Sequence, residues 1–421
     1  MAGLLTSVLV LLVGTGAVVT STRRPGADPV QGSAGSTGTP GSTGGSTVGS
    51  DPRTAAAALL LGRLGARLED GTRRDVVSLA AAQDSPARRE LATLRRNVRA
   101  LRMTDLTLTY LMARDQRPAR RTWVGEVQVS WRLPGMDTET SRTQVAMTFR
   151  WSDGEAGFVT ARATRDAAVP LWMLGGIVVA RTPRSVVVSD ASGAPAEFSR
   201  LADQAVTDVR KVLRGWSGRL VVEVPRDQRQ LNRVLGARPG AYSAIAALTT
   251  TADGSFAESS PVHVFVNRRV FEPLGPRGSQ IVMSHEATHV AVDAALSTMP
   301  IWLLEGFADY VALAHVALPV SRLASQVLAQ VRRSGPPARL PGGEEFAPDV
   351  SRLGASYESA WLACRLIAER YGERRLIALY RAADRAPATA VPFRAVLGTS
   401  QAAFTRLWQD DLRRRARAGT G

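Results

Sequence analysis

Five residues in the second half of the chain carry the clearest chemistry: His285-Glu286-Ala287-Thr288-His289. On a helix, residues i and i+4 lie one turn apart on one face. Two imidazoles so placed can bind one zinc ion, and the glutamate beside the first of them points at the open coordination position. Zinc lowers the pKa of a bound water to about 7, and Glu286 is placed to take its proton as general base. The chain has only four histidines, His263, His285, His289 and His315. With so few, this spacing is expected by chance about 0.002 times per chain.

A metal site of this kind needs a third protein ligand and a vacant fourth position. A third histidine six residues after His289, preceded by glycine, would extend the pattern along the same helix. The chain has Val292 and Ala295 there, which excludes that arrangement. Asp293 is one turn past His289, where it suits an outer hydrogen-bond acceptor better than a ligand. Pro300 then interrupts the helix, and a second one begins with Trp302-Leu303-Leu304-Glu305-Gly306-Phe307-Ala308-Asp309-Tyr310. Glu305 is the expected third ligand. Asp309, four residues on and on the same face, is expected to accept the free N–H of a zinc-bound imidazole.

The pairing of His-Glu-x-x-His with Trp-Leu-x-Glu-Gly-x-Ala-x-Tyr resembles the gluzincin zinc peptidases, in particular the peptidase MA-like family. The resemblance covers about residues 260–380. It implies hydrolysis of a peptide bond in a peptide or protein substrate, with Zn2+ as cofactor. It also implies that strand 262–267 is an edge strand that pairs with an extended substrate, against the plainer reading of a core strand. Gluzincins supply a downstream Tyr or His to stabilise the oxyanion. His315 lies ten residues past Glu305, too far along the helix, whereas Tyr357 opens the helix Tyr357-Glu358-Ser359-Ala360-Trp361 at the place where the family carries a tyrosine. The aminopeptidase segment Gly-x-Met-Glu-Asn is absent from the sequence, which favours an endopeptidase.

The elements around these residues read as two folded regions. In region 52–166, residues 54–66 and 87–102 are expected helices. Period-two alternation follows at Leu106, Leu108 and Tyr110, at Val127 to Leu133, and at Val145 to Trp151, with Asp153-Gly154 as a tight hairpin. Helices followed by an antiparallel sheet resemble the cone-shaped nuclear transport factor 2-like fold, for which a structural or binding role is expected. In region 170–417 short strands are expected at 176–182, 185–189, 220–224, 243–250 and 262–266, with a helix at 196–213 and helices throughout after Gly278. The expected fold is α+β: a small antiparallel sheet with a helical, gluzincin-like domain, preceded by the smaller α+β domain.

Ahead of both lies Met1 to Arg24, read as a signal peptide or a membrane anchor. Its apolar run, Leu4 to Val19, makes about 24 Å of helix against a bilayer core of roughly 30 Å. Arg23-Arg24 follow the run instead of preceding it, an order that suits an anchor. Residues 25–51 are Gly, Ser, Thr and Pro with little else, a flexible linker. The expected location is extracytoplasmic, secreted or tethered by one N-terminal segment.

Hydrophobic residues are 45% and charged residues 21%, which excludes a wholly disordered chain and a polytopic membrane protein. Cys364 is the single cysteine, so no intrachain disulfide or cysteine-based zinc cluster can form; it is expected to be a small core residue. The formal charge is +16, almost all from arginine, since Lys211 is the one lysine. The arginines are scattered with no aromatic interleaving, so nucleic acid is not an expected partner. The run Arg413 to Arg415 with Arg417 leaves an anionic cell-envelope surface as one. From a different class, a non-catalytic cell-surface binding or scaffold protein with a vestigial zinc site remains the alternative.

Overall fold

The computed structural model describes residues 51–114, 121–163, 168–255, 257, 259–347, 352–386 and 391–418. The leader and all but the last residue of the linker lie outside them. Among the described residues no helix is long and apolar enough to cross a membrane.

The first region opens with three helices, α1 (Pro52–Glu69), α2 (Arg73–Val77) and α3 (Ser85–Leu101). Each is started by a side chain that accepts a backbone N–H its helix leaves unpaired: Asp51, Thr72 and Asp84. Proline in the first turn of α1 and α3 costs nothing there, because those N–H groups have no helical partner. On α3 the residues Leu91, Leu94, Val98 and Leu101 form the buried stripe that their spacing foretells. Four strands follow, β1 (Thr104–Ala113), β2 (Thr122–Arg132), β3 (Ser141–Ser152) and β4 (Glu155–Ala163). They make an antiparallel meander in sequence order. Asp153 and Gly154 both take positive φ, 51° and 82°, which is the turn that closes β3 onto β4.

The second region contains strands β5 (Ile177–Arg181) and β6 (Ser185–Asp190), helix α4 (Pro195–Val212), strand β7 (Leu220–Val224), the short helix α5 (Gln228–Val234), and strands β8 (Ala247–Thr251) and β9 (Val262–Val266). Their order in the sheet is β5-β6-β7-β9-β8. The sheet is mixed, not antiparallel as expected: β6, β7 and β9 run parallel, and β5 and β8 run antiparallel at the two edges. The reason is the unit β6-α4-β7, since a helix returning the chain to the starting end makes its strands parallel. Parallel strands covered on both faces become continuous apolar runs. Accordingly Val186, Val187 and Val188 are buried together, as are Leu220, Val221 and Val222. The strand 262–266 is also not the edge: β9 sits between β7 and β8, and β8 takes the edge.

Helix α4 and the helix Gly275–Ala291 cover one face of this sheet. The first region covers the other. Its Asn97, fully buried on α3, donates to the carbonyls of Trp172 and Gly175 at 2.7 and 2.6 Å and accepts from the Ile177 N–H at 3.3 Å. Trp131 meets Trp172 edge-on at 6.0 Å. The buried apolar residues of both regions form one continuous core.

The remaining chain is helical: α6 (Arg268–Phe271), α7 (Gly275–Ala291), α8 (Ile301–Leu313), α9 (Val320–Leu323), α10 (Ser325–Ser334), α11 (Leu353–Tyr371), α12 (Glu373–Asp384), α13 (Phe393–Leu397) and α14 (Gln401–Ala418). Cys364 is buried in the middle of α11, the small core residue expected. The basic tail lies on α14, where Arg413, Arg414 and Arg415 pair with Asp410, Asp411 and Glu369. Part of its charge is thus balanced within the chain.

Candidate metal centre

Helix α7 runs between the sheet and α8, so every residue from Ile281 to His289 is buried. His285 and His289 lie one turn apart with rings crossed at 77° and centroids 4.7 Å apart. Their Nε2 atoms approach to 3.0 Å. The helix ends at Ala291, and Asp293 turns the chain with a left-handed φ of 54°. Past Pro300, α8 returns across α7 and brings Glu305 in from its second turn. Glu305 Oε2 lies 3.3 Å from His285 Nε2 and 3.6 Å from His289 Nε2.

These three donor atoms form a group that could hold a metal ion, as the spacing predicts, and all three residues are buried. Their separations can be compared with a coordination sphere. Ligands about 2.05 Å from a tetrahedral ion stand roughly 3.3 Å apart, and the three distances here are 3.0, 3.3 and 3.6 Å. Neither oxygen of Glu305 has a hydrogen-bond partner, although the residue is fully buried. A buried carboxylate without donors is costly, and a cation among the three atoms would remove that cost. The residues therefore fit a metal cation.

His285 Nδ1 lies 2.8 Å from Asp309 Oδ1. With the proton on Nδ1, the Nε2 lone pair is left for an ion. Burial pushes His285 toward the neutral form, and Asp309, then Glu305, outweigh it and raise its pKa to about 10. A metal cation held at Nε2 would take the place of that second proton. Glu305 is pushed up by burial, but His289 and His285 outweigh this and hold it below the usual carboxylate range.

Glu286 turns toward the sheet. Its Oε2 accepts from Thr249 Oγ1 on β8 at 2.7 Å, and its Oε1 has no partner. Burial raises its pKa. Thr249 was not singled out by sequence, since its contact spans 37 residues between a strand and a helix. Tyr357 is buried on α11 with its ring edge-on to Phe346 at 4.9 Å. It shares a face of α11 with Ala360 and Cys364, the residues that meet Gly306 of α8. His315 lies beyond the end of α8 and is exposed.

The fourth histidine has a separate setting. His263 on β9 is buried between two carboxylates, with Nδ1 2.9 Å from Glu223 Oε1 and Nε2 3.1 Å from Asp137 Oδ1. Sequence reading assigned it no partner. No family model, no curated protein and no solved structure matches this chain.

Proposed function

We propose that this chain is a zinc-dependent peptidase of gluzincin type, an extracytoplasmic endopeptidase acting on peptide or protein substrates. The observation that carries the reading is the convergence of His285 Nε2, His289 Nε2 and Glu305 Oε2 to 3.0–3.6 Å around a carboxylate that has no other partner.

When bound, zinc supplies Lewis acidity, polarising a carbonyl and lowering the pKa of a water to about 7. His285, His289 and Glu305 hold it, and Asp309 fixes the His285 tautomer. Glu286 removes the proton from the attacking water and returns it to the leaving amine. Burial raises its pKa, which suits a group that acts first as base and then as acid. The Tyr357 hydroxyl donates to the developing oxyanion. The first region docks on the back of the sheet, and its helices-then-meander order suits the cone-shaped fold named above.

One observation favours a second reading. His285, Glu286 and Glu305 are 0% exposed and His289 is 2% exposed, a closure more usual in structural metal sites. A cell-surface binding protein with a vestigial metal site has that property. Elemental analysis of the full chain beside His289→Ala, followed by cleavage of fluorescein-labelled casein, separates the readings. About one zinc per chain, lost in the variant, with casein cleavage is expected. Zinc without cleavage favours the binding protein, and no zinc after incubation with it refutes the metal site.

A further inference from the structure

The strand that holds Glu286 is itself held by the first region. Asp137, in the β2–β3 connection, reaches across to His263 on β9, and Glu223 on β7 reaches the same ring from the other side. With both carboxyls ionised each accepts from the ring, and both ring nitrogens carry protons. Burial pushes His263 toward the neutral form, and Asp137 and then Glu223 outweigh it and raise its pKa to about 10. Asp137 is itself fixed by accepting the Leu133 N–H at 3.0 Å. A second joint lies at the tip of the β8–β9 hairpin, where Asp253 accepts the N–H of Arg142 on β3 at 2.9 Å.

Strand alternation ties these joints to the metal centre. His263 pairs across the strands with Thr250, and Thr249 is the next residue of β8. Cross-strand partners share a face and neighbours along a strand alternate. His263 therefore faces the first region, while Thr249 faces α7 and donates to Glu286. As an edge strand, β8 has ladder hydrogen bonds to β9 alone. Such a strand opens more easily than an interior one unless something else fixes it.

We propose that the first region is a working part of the metal centre: through Asp137–His263 and Arg142–Asp253 it fixes the β8–β9 hairpin, and Thr249 on that hairpin aims the carboxylate of Glu286. Thr249 is a positioning residue, and Asp137 positions the strand that carries it. The proposal rests on the reading of Glu286 as general base. Displacing a catalytic group by about 1 Å costs roughly 10²-fold in rate, so a loosened β8 is felt in turnover before it is felt in metal binding.

The test uses the full chain loaded with zinc. It reads kcat and KM on fluorescein-labelled casein, zinc content, and amide hydrogen exchange of residues 247–251. Thr249→Val, close in shape, is expected to lower kcat about 10-fold or more with KM and zinc content unchanged, and Thr249→Ser to restore most of it. Asp137→Ala is expected to speed exchange at 247–251 and lower kcat while zinc stays bound. Should Asp137→Ala not fold, Asp253→Ala is read in the same way. Wild-type exchange at 247–251 in the folded variant overturns the clamp. Wild-type kcat in Thr249→Val overturns the positioning role. If the wild-type chain binds zinc and leaves casein intact, the peptidase reading fails by itself, and the exchange measurement still decides the clamp.

Discussion

Replacing Gly306 by alanine adds one methyl group between α8 and α11, beside the ligand Glu305. A Cβ there would stand 2.4 Å from the Ala360 carbonyl oxygen, 2.6 Å from its carbon and 3.0 Å from Cys364 Sγ. The two closest atoms are backbone, so no rotamer change relieves the contact. Reaching the ordinary contact range, which begins at 3.4 Å, requires α8 and α11 to separate by about 1 Å. Overpacking of this kind costs about 1–3 kcal/mol, against a gain of about 1 kcal/mol from replacing glycine within a helix. The net expectation is a loss of up to about 2 kcal/mol. The larger effect falls on the metal. Metal–ligand distances tolerate about 0.2 Å, and a 1 Å displacement of α8 carries Glu305 with it. Zinc affinity is expected to fall about 10- to 100-fold, measured by competition with a chromophoric chelator, with urea unfolding of the metal-free protein alongside. Gly62, exposed on α1 with nothing near its would-be Cβ, is the control: Gly62→Ala should stabilise by about 1 kcal/mol. Wild-type zinc affinity and unchanged or raised stability in Gly306→Ala would falsify the close α8–α11 contact and its link to the site.

Glu286→Gln is expected to retain zinc and lose casein turnover by at least about 10²-fold; a wild-type rate would remove Glu286 as the base. Tyr357→Phe is expected to lower kcat with zinc content unchanged, and normal turnover would leave Tyr357 a packing residue against Phe346. His263 is raised to about 10 from 6.5, so its bridge contributes full stability below pH 6.5 and loses it as pH rises through 10. The urea midpoint of the wild type should therefore fall across that window more steeply than that of His263→Gln, and equal slopes would sink the bridge.

What could be read in advance was local. His285 and His289 are one helical turn apart, so their convergence follows from spacing alone. Glu305 follows from Pro300, which ends one helix direction and starts another. The Asp153-Gly154 hairpin follows from two residues that accept positive φ. The sheet was misread because strand order is not sequence order. β9 enters between β7 and β8, which places β8 on the edge and 262–266 inside. The parallel pairing of β6 and β7 was legible in principle from an 18-residue helix between two apolar runs. Thr249 and His263 were out of reach, because their partners lie 37, 40 and 126 residues away and nothing local marks them.

The charge at the centre suits the proposed cation. Glu286, Glu305 and Asp309 are all 0% exposed, within one cluster of helices and strand. Each buried carboxylate costs several kcal/mol unless it is paired. A protonated His285 answers Asp309 through Nδ1 at 2.8 Å and faces Glu305 Oε2 from Nε2 at 3.3 Å, with no hydrogen bond on either Glu305 oxygen. The histidines keep Glu305 ionised, below the usual carboxylate range. A cation held among the three donor atoms would pair Glu305 more closely and would replace the Nε2 protons. Glu286 is then the carboxyl that remains with one oxygen unpartnered and its pKa raised by burial. That is the state in which a carboxyl can accept a proton from water and give it back, and it arises here from the same burial that favours a cation beside Glu305.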